Sequence, residues 1–283
     1  MNIDSHHHFW KYTADEYPWI STGMERLARD YLPADLIKAT QPHDITGSVA
    51  VQARQTIQET QWLLELAANY SFIRGVVGWV DLRSPSVSED LERFSENDKF
   101  VGVRHVVQDE PDPRFLLGND FVRGLRYLPA YNLTYDILVF PHQLPAAYEL
   151  VKLLPDQPFV LDHMAKPDIE HHAISEWKRH FNALAEHENV VCKLSGLVTE
   201  ANWNVWQQRD FTPYLDVALE AFGPERLLYG SDWPVCLLSA EYAEVQRRRE
   251  SNLRRRTRAR ATCATSTDAS RTPTVAQRRN GFA

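Results

Sequence analysis

Eight short apolar runs recur along residues 1–245, each followed by a longer stretch with helical spacing. They are Ile3–Phe9, Ile45–Val51, Ile73–Val80, Phe100–Val107, Tyr135–Phe140, Phe159–Met164, Val190–Leu194 and Leu227–Tyr229. Most are continuous and rich in Val, Ile, Leu and aromatics, as strands of a parallel sheet covered on both faces must be. Between them, Thr56–Asn69 places Ile57, Leu64 and Ala68 on one helical face, and Ile174–His187 does the same with Trp177, Phe181 and Leu184. Ser88-Glu89-Asp90-Leu91 and Ser175-Glu176 read as helix starts with acids in the first turn. Eight strand–helix rounds in about 245 residues predict a single α/β domain, a (β/α)8 barrel of the TIM type. An open doubly wound sheet would call for a glycine-rich phosphate turn after the first strand. His6-His7-His8 stands there instead.

The formal charge of -7 averages two unlike pieces. Residues 246–283 hold eleven arginines against two acids, a balance of +9, which leaves 20 Lys+Arg against 36 Asp+Glu, or -16, for residues 1–245. The barrel is therefore expected to span 1–245, with 246–283 an atypical Arg-rich tail. Two readings of that tail stand: a basic arm, or out-of-frame translation of a GC-rich gene. It lacks the aromatic interleaving of a nucleic-acid module, so nucleic acid is not expected as a partner. With 43% hydrophobic residues the chain can bury a sizeable core, which excludes a disordered protein. No apolar run reaches the roughly 18–20 residues of a membrane span. The N-terminus does not read as a secretory signal, and three scattered cysteines (Cys192, Cys236, Cys263) make no disulfide framework. A cytoplasmic location is the expectation; nothing in the sequence specifies an oligomeric state.

In such a barrel the C-terminal ends of the strands carry the chemistry. Strand one ends in His6-His7-His8, and strand geometry turns His6 and His8 to one side. Two imidazoles one pleat apart can share a metal, grip a carbonyl oxygen, or simply cluster at the surface. Strand six ends Asp162-His163-Met164-Ala165-Lys166-Pro167, which puts His163 and Lys166 at the mouth; Asp162 could equally cap a helix and Lys166 be solvated. Strand eight ends Gly230-Ser231-Asp232-Trp233-Pro234. There Asp232 is a candidate general base or metal ligand, against the plainer reading that it turns the chain, and Trp233 a pocket wall. Arg104 closes strand four and Lys193 strand seven; either could hold a carboxylate, stabilise an oxyanion, or brace the barrel as an ion pair. Gln52, Tyr135 and Asp136 are further polar strand-end candidates, Tyr135 for substrate contact. Trp10, Trp79 and Trp233 would suit stacking on a sugar ring, or core packing.

Together, Ile3-Asp4-Ser5-His6-His7-His8-Phe9-Trp10, Gly102-Val103-Arg104-His105, Asp162-His163-Met164-Ala165-Lys166-Pro167, Lys193-Leu194-Ser195-Gly196 and Tyr229-Gly230-Ser231-Asp232-Trp233-Pro234 resemble the amidohydrolase superfamily. More narrowly they are similar to its sugar-acid and pyrone-dicarboxylate lactonase branch. The resemblance runs from about residue 2 to residue 245 in barrel order. It implies a hydrolase acting on a small-molecule lactone, with His6 and His8 as the strand-one pair, His163 the strand-six histidine and Asp232 the strand-eight aspartate. It also implies that these four hold one divalent ion such as Zn²⁺, or work with no metal. Strand four offers Arg104-His105 rather than a bridging Lys or Glu, and His142 is a poor substitute for the strand-five ligand, so two metals are not expected.

The mechanism expected is Asp232 deprotonating water for attack on the lactone carbonyl. His6, His8 and His163 would hold that carbonyl, with Arg104 or Lys166 offsetting the oxyanion. A metal-dependent decarboxylase of the same superfamily is the alternative enzyme. A non-catalytic barrel with a nucleic-acid-binding tail is the non-enzymatic one. After Val245 the sequence leaves the family pattern; Ser239–Arg249 is expected to start a helix.

Overall fold

A computed structural model describes residues 2–247. All eight expected strands form: β1 (Ile3–His7), β2 (Gly47–Val51), β3 (Ile73–Gly78), β4 (Phe100–His105), β5 (Thr134–Ile137), β6 (Phe159–Leu161), β7 (Val190–Leu194) and β8 (Leu227–Tyr229). They make one parallel sheet in sequence order. It curls back on itself so that His7 bridges Trp233, beyond the end of β8. Helices cover the outside: α1 (Pro33–Thr40), α2 (Ile57–Asn69), α3 (Val87–Ser95), α4 (Asn119–Leu125), α5 (Leu144–Leu153), α6 (Ser175–Ala185) and α7 (Gln208–Phe222). This is the (β/α)8 architecture that the alternating runs predict.

Burial on both faces explains why the strands read as continuous apolar text. Every residue of β6 is buried, as are the first and third residues of β7. On α6, Trp177, Phe181 and Leu184 face the sheet as expected, with the first two rings stacked 4.6 Å apart. On α2 the buried residues are Glu59, Thr60, Leu63, Leu64 and Ala67; Ala68, grouped with Leu64 by its spacing, is exposed. The error is a rotation by one residue: Thr56 caps this helix by accepting from the Glu59 amide at 3.2 Å, and Thr60 bonds the Trp79 carbonyl.

After β8 a short turn of 3-10 helix (Val235–Leu238) leads to helical residues 242–247. Helix thus begins within the expected 239–249 window, three residues late. The readings of residues 248–283 lie outside the described residues. Among the described residues no helix is long and apolar enough to cross a membrane.

Candidate functional site

Strand alternation sends His6 and His8 to one side of β1, and both are buried with Asp232 and His163. His6 Nε2 lies 3.2 Å from His8 Nε2, and Asp232 Oδ1 stands 3.3 Å from His8 Nε2 and 3.8 Å from His6 Nε2. His163 Nε2 is 4.0 Å from the same oxygen, with its ring 4.3 Å from that of His6. The four residues expected to share chemistry therefore converge on one point.

The backbone works to bring them there. His163, Met164, Ala165 and Lys166 all have left-handed φ, between 49° and 56°, and Asp232 has φ 58°. For residues with a Cβ this conformation costs about 1–2 kcal/mol each. Such strain persists where surrounding contacts over-determine it, typically at functional sites. Here Trp177 Nε1 donates to the Met164 carbonyl at 2.7 Å, and the Asp232 amide donates to the His6 carbonyl at 2.8 Å.

Neighbouring groups assign the imidazole protons. His8 Nδ1 lies 2.9 Å from the Val51 carbonyl, which can only accept, so Nδ1 carries the proton. His6 Nδ1 faces Asp162 Oδ1 at 3.3 Å, while its Nε2 lies 3.4 Å from Arg104 Nη1, which can only donate. Both histidines thus aim Nε2 lone pairs at each other and at a carboxylate oxygen. That gap calls for one positive charge, a proton or a metal ion. Donors about 2.0–2.1 Å from a tetrahedral zinc are separated by about 3.3 Å, close to the spacings seen. Burial holds the His6 imidazole well below its ordinary pKa and His163 at about 4. Burial alone would raise the Asp232 carboxyl, but His163, His8 and His6 outweigh it and hold it well below the carboxylate range.

A second triad, His6, Asp162 and His163, has ligand atoms within 4.8 Å of one another. Asp162 is already committed: Arg104 Nη1 and Lys193 Nζ each lie 3.0 Å from it, and Lys193 also pairs with Asp136. Of the readings open for Arg104 and Lys193, the buried ion pair is the one seen. Asp162 caps no helix; Lys193, His6 and Arg104 keep it ionised against burial. Gln52 joins the network through its carbonyl, which accepts from Arg104 Nη2. Lys166 pairs with Glu200 at 3.0 Å and lies over the Phe140 ring. Trp233 is buried edge-on against Tyr31, their centroids 5.1 Å apart. Tyr135 is fully buried between the rings of Phe121 on α4 and Phe159 on β6, a packing position rather than the expected substrate contact. Alternation explains this: its neighbour Asp136 takes the inward side.

Sequence reasoning missed Asp162 as a hub, Glu200 as the partner of Lys166, and Asp4, a buried carboxylate on β1. For Asp4 a signal existed, since an acid inside an apolar strand must find buried donors.

The family model described as amidohydrolase matches residues 3–262. A relative from Burkholderia multivorans named L-fucono-1,5-lactonase is 46% identical, covering 87% of this chain and 86% of its own. One of the same name from Burkholderia ambifaria is 35% identical, covering 86% and 84%. The crystal structure of an amidohydrolase from Burkholderia multivorans with bound zinc superimposes with a TM-score of 0.84 at 44% identity, over 92% of both chains.

Proposed function

The chain belongs to the amidohydrolase family, and from that premise we propose that it opens the ring of a sugar-acid lactone by hydrolysis, a step of carbohydrate catabolism. The observation that carries this reading is the convergence of His6, His8 and His163 on Asp232 Oδ1, at 3.3 to 4.0 Å. The relatives named L-fucono-1,5-lactonase support the substrate class.

Asp232, kept ionised, accepts a proton from the water that attacks the lactone carbonyl. The new C–O bond forms as the carbonyl π bond opens to an oxyanion; when this tetrahedral centre collapses the ring C–O bond breaks, and the same proton passes to the departing ring oxygen. A carboxyl of such low proton affinity is a weak base but a ready acid toward an alkoxide. His6, His8, His163 and Asp232 are also the residues that would hold a zinc ion. When bound, that ion polarises the carbonyl and makes water more acidic. Arg104 and Lys193 keep the His6 ring oriented through Asp162. Lys166, with Glu200, offers the substrate's hydroxyls a donor and an acceptor.

Charge pairing favours an uncharged lactone. Arg104, Lys193 and Lys166 each have a carboxylate partner within 3.0 Å, so none of the three is free to take a substrate carboxylate. That disfavours both a pyrone dicarboxylate and the decarboxylase alternative. A pH-indicator assay with L-fucono-1,5-lactone, other aldonolactones and 2-pyrone-4,6-dicarboxylate tests the reading. Proton release with the neutral sugar lactones is expected. Turnover of the dicarboxylate alone, or of none of them, would refute it.

A further inference from the structure

Where β8 meets β1, side chains share the work of closing the barrel. Backbone bonds run from the Asp232 amide to the His6 carbonyl at 2.8 Å and from the His8 amide to the Trp233 carbonyl at 2.7 Å. One residue before Asp232, the Ser231 amide turns to a side chain instead, donating to Asp4 Oδ1 at 2.8 Å. The His6 amide donates to the same oxygen at 3.3 Å, and the Tyr242 hydroxyl donates to Asp4 Oδ2 at 3.1 Å.

These three donors are uncharged, and Asp4 is fully buried. Burying a carboxylate without a cation is costly. An asparagine would be cheaper to bury but has one acceptor oxygen, and its amide would force the Tyr242 hydroxyl to turn from donor to acceptor. A carboxylate is the compact group that accepts from β1, β8 and the C-terminal segment at once. What stands on either side of this knot is the site itself: His6 two residues along β1, and Asp232 next to Ser231 with its left-handed backbone.

We propose that Asp4 is a positioning residue for Asp232, holding the Ser231 amide in register and tying the C-terminal segment to the site through Tyr242. That segment is gripped a second time by Arg26, which donates to the Leu237 carbonyl at 2.9 Å and pairs with Glu241. The anchor therefore reaches Asp232 from the segment that follows β8. The kinetic consequence rests on reading Asp232 as the base; the structural one does not.

The test compares full-length wild type with Asp4→Asn and Tyr242→Phe by crystal structure, by kinetics on L-fucono-1,5-lactone and by thermal unfolding. Asp4→Asn is expected to move the Asp232 carboxylate by about 1 Å and to lower kcat about 10²-fold with KM little changed. Tyr242→Phe removes a single hydroxyl and is expected to fold, with kcat lowered about 10-fold through loss of outer support. A lowered Tm with kcat and the Asp232 position unchanged would overturn the proposal, and Tyr242→Phe alone decides if Asp4→Asn does not fold. Asp232→Asn in the same assay separates the two readings. If it keeps full turnover, Asp232 is not the base, and the displacement of residue 232 in the Asp4→Asn crystal still decides the role of Asp4.

Discussion

His8 Nε2 stands 3.3 Å from Asp232 Oδ1, although the two lie just beyond the ends of the first and last strands of the sheet. Closing the barrel is what makes them neighbours. Asp232→Asn keeps the shape but removes the proton acceptor. A positioned general base contributes about 10²–10⁴-fold, so kcat is expected to fall at least about 10²-fold with the fold intact. Steady-state kinetics beside a circular dichroism spectrum check both halves.

Acid should inactivate the site late. His163 titrates at about 4 because it is buried, and Asp232 is held lower still. Both protonations lie on the acid side, and each removes a lone pair from the cluster. kcat/KM is therefore expected to stay level from about pH 6 to 8 and to decline only as pH approaches about 4. A decline centred near 6.5 would mean that a histidine in an ordinary environment governs turnover.

Zinc should bind once. The His6–His8–Asp232 group has donor spacings suited to one ion, whereas Asp162 in the neighbouring triad is already neutralised by Arg104 and Lys193. Metal analysis after dialysis against zinc is expected to saturate at one equivalent per chain. His8→Ala is expected to abolish that binding, because it removes one of that group's donors. Two equivalents would contradict the assignment of Asp162 as an ion-pair hub.

That hub also holds the barrel together. Lys193 lies between Asp136 on β5 and Asp162 after β6, all three buried. Lys193→Met leaves two buried carboxylates short of a cation, and removing one partner of a buried pair costs about 3–5 kcal/mol. Denaturant unfolding should show a loss of that size. Replacing Asp136 by Leu as well should recover part of it, since Asp162 keeps Arg104.

The strands were legible because a sheet covered on both faces needs unbroken apolar runs, and the cluster was legible because His6, His163 and Asp232 sit where those runs stop. The Asp136–Lys193–Asp162–Arg104 network was not. Its members come from three strands and the turn after a fourth, and only lateral packing reveals that Arg104 and Lys193 meet carboxylates rather than solvent or substrate. Tyr135 shows the same gap. Being at a strand is visible in sequence, but which of Tyr135 and Asp136 faces inward follows from the register of β5 against β4 and β6. The one-residue rotation of α2 arises because Thr60, polar in sequence, is buried by its bonds with Trp79.

Glu59 gives a pH dependence that stability measurements can isolate. Buried at the start of α2, it accepts the Ala53 and Arg54 amides at 2.9 and 2.7 Å, and burial raises its carboxyl to about 7. The folded state therefore binds this proton more tightly than the unfolded chain does. The stability it lends is present below about pH 4.5 and is lost as pH rises through about 7, a change of about 3 kcal/mol. Glu59→Gln keeps an acceptor for both amides and carries no charge. Urea unfolding at pH 5 and pH 8 is expected to show a larger loss in the wild type than in Glu59→Gln. Equal losses would mean that Glu59 stays ionised in both states.

Gly196 tests whether His163 must stay where the strained turn puts it. Its φ is +66°, and a Cβ there would lie 2.5 Å from His163 Nδ1 and 2.7 Å from Cγ; that Nδ1 contacts the Ser195 hydroxyl at 2.9 Å. Gly196→Ala therefore forces the imidazole or the loop that carries residue 196 to shift. Gly223 is a control for positive-φ strain away from the site, with φ +65°, ψ 169° and nothing within 4 Å of its built Cβ. Gly196→Ala meets the left-handed cost of about 1–2 kcal/mol, and Gly223→Ala at least as much because its backbone lies in a region open essentially to glycine alone, so both should lose Tm. Only Gly196→Ala should also lose turnover, by about 10²-fold, because a shift of about 1 Å at a catalytic group has that effect. Comparing kcat between the two variants at a temperature where both are folded separates displacement of His163 from backbone strain. Equal kcat would mean that the position of His163 is not critical to the reaction.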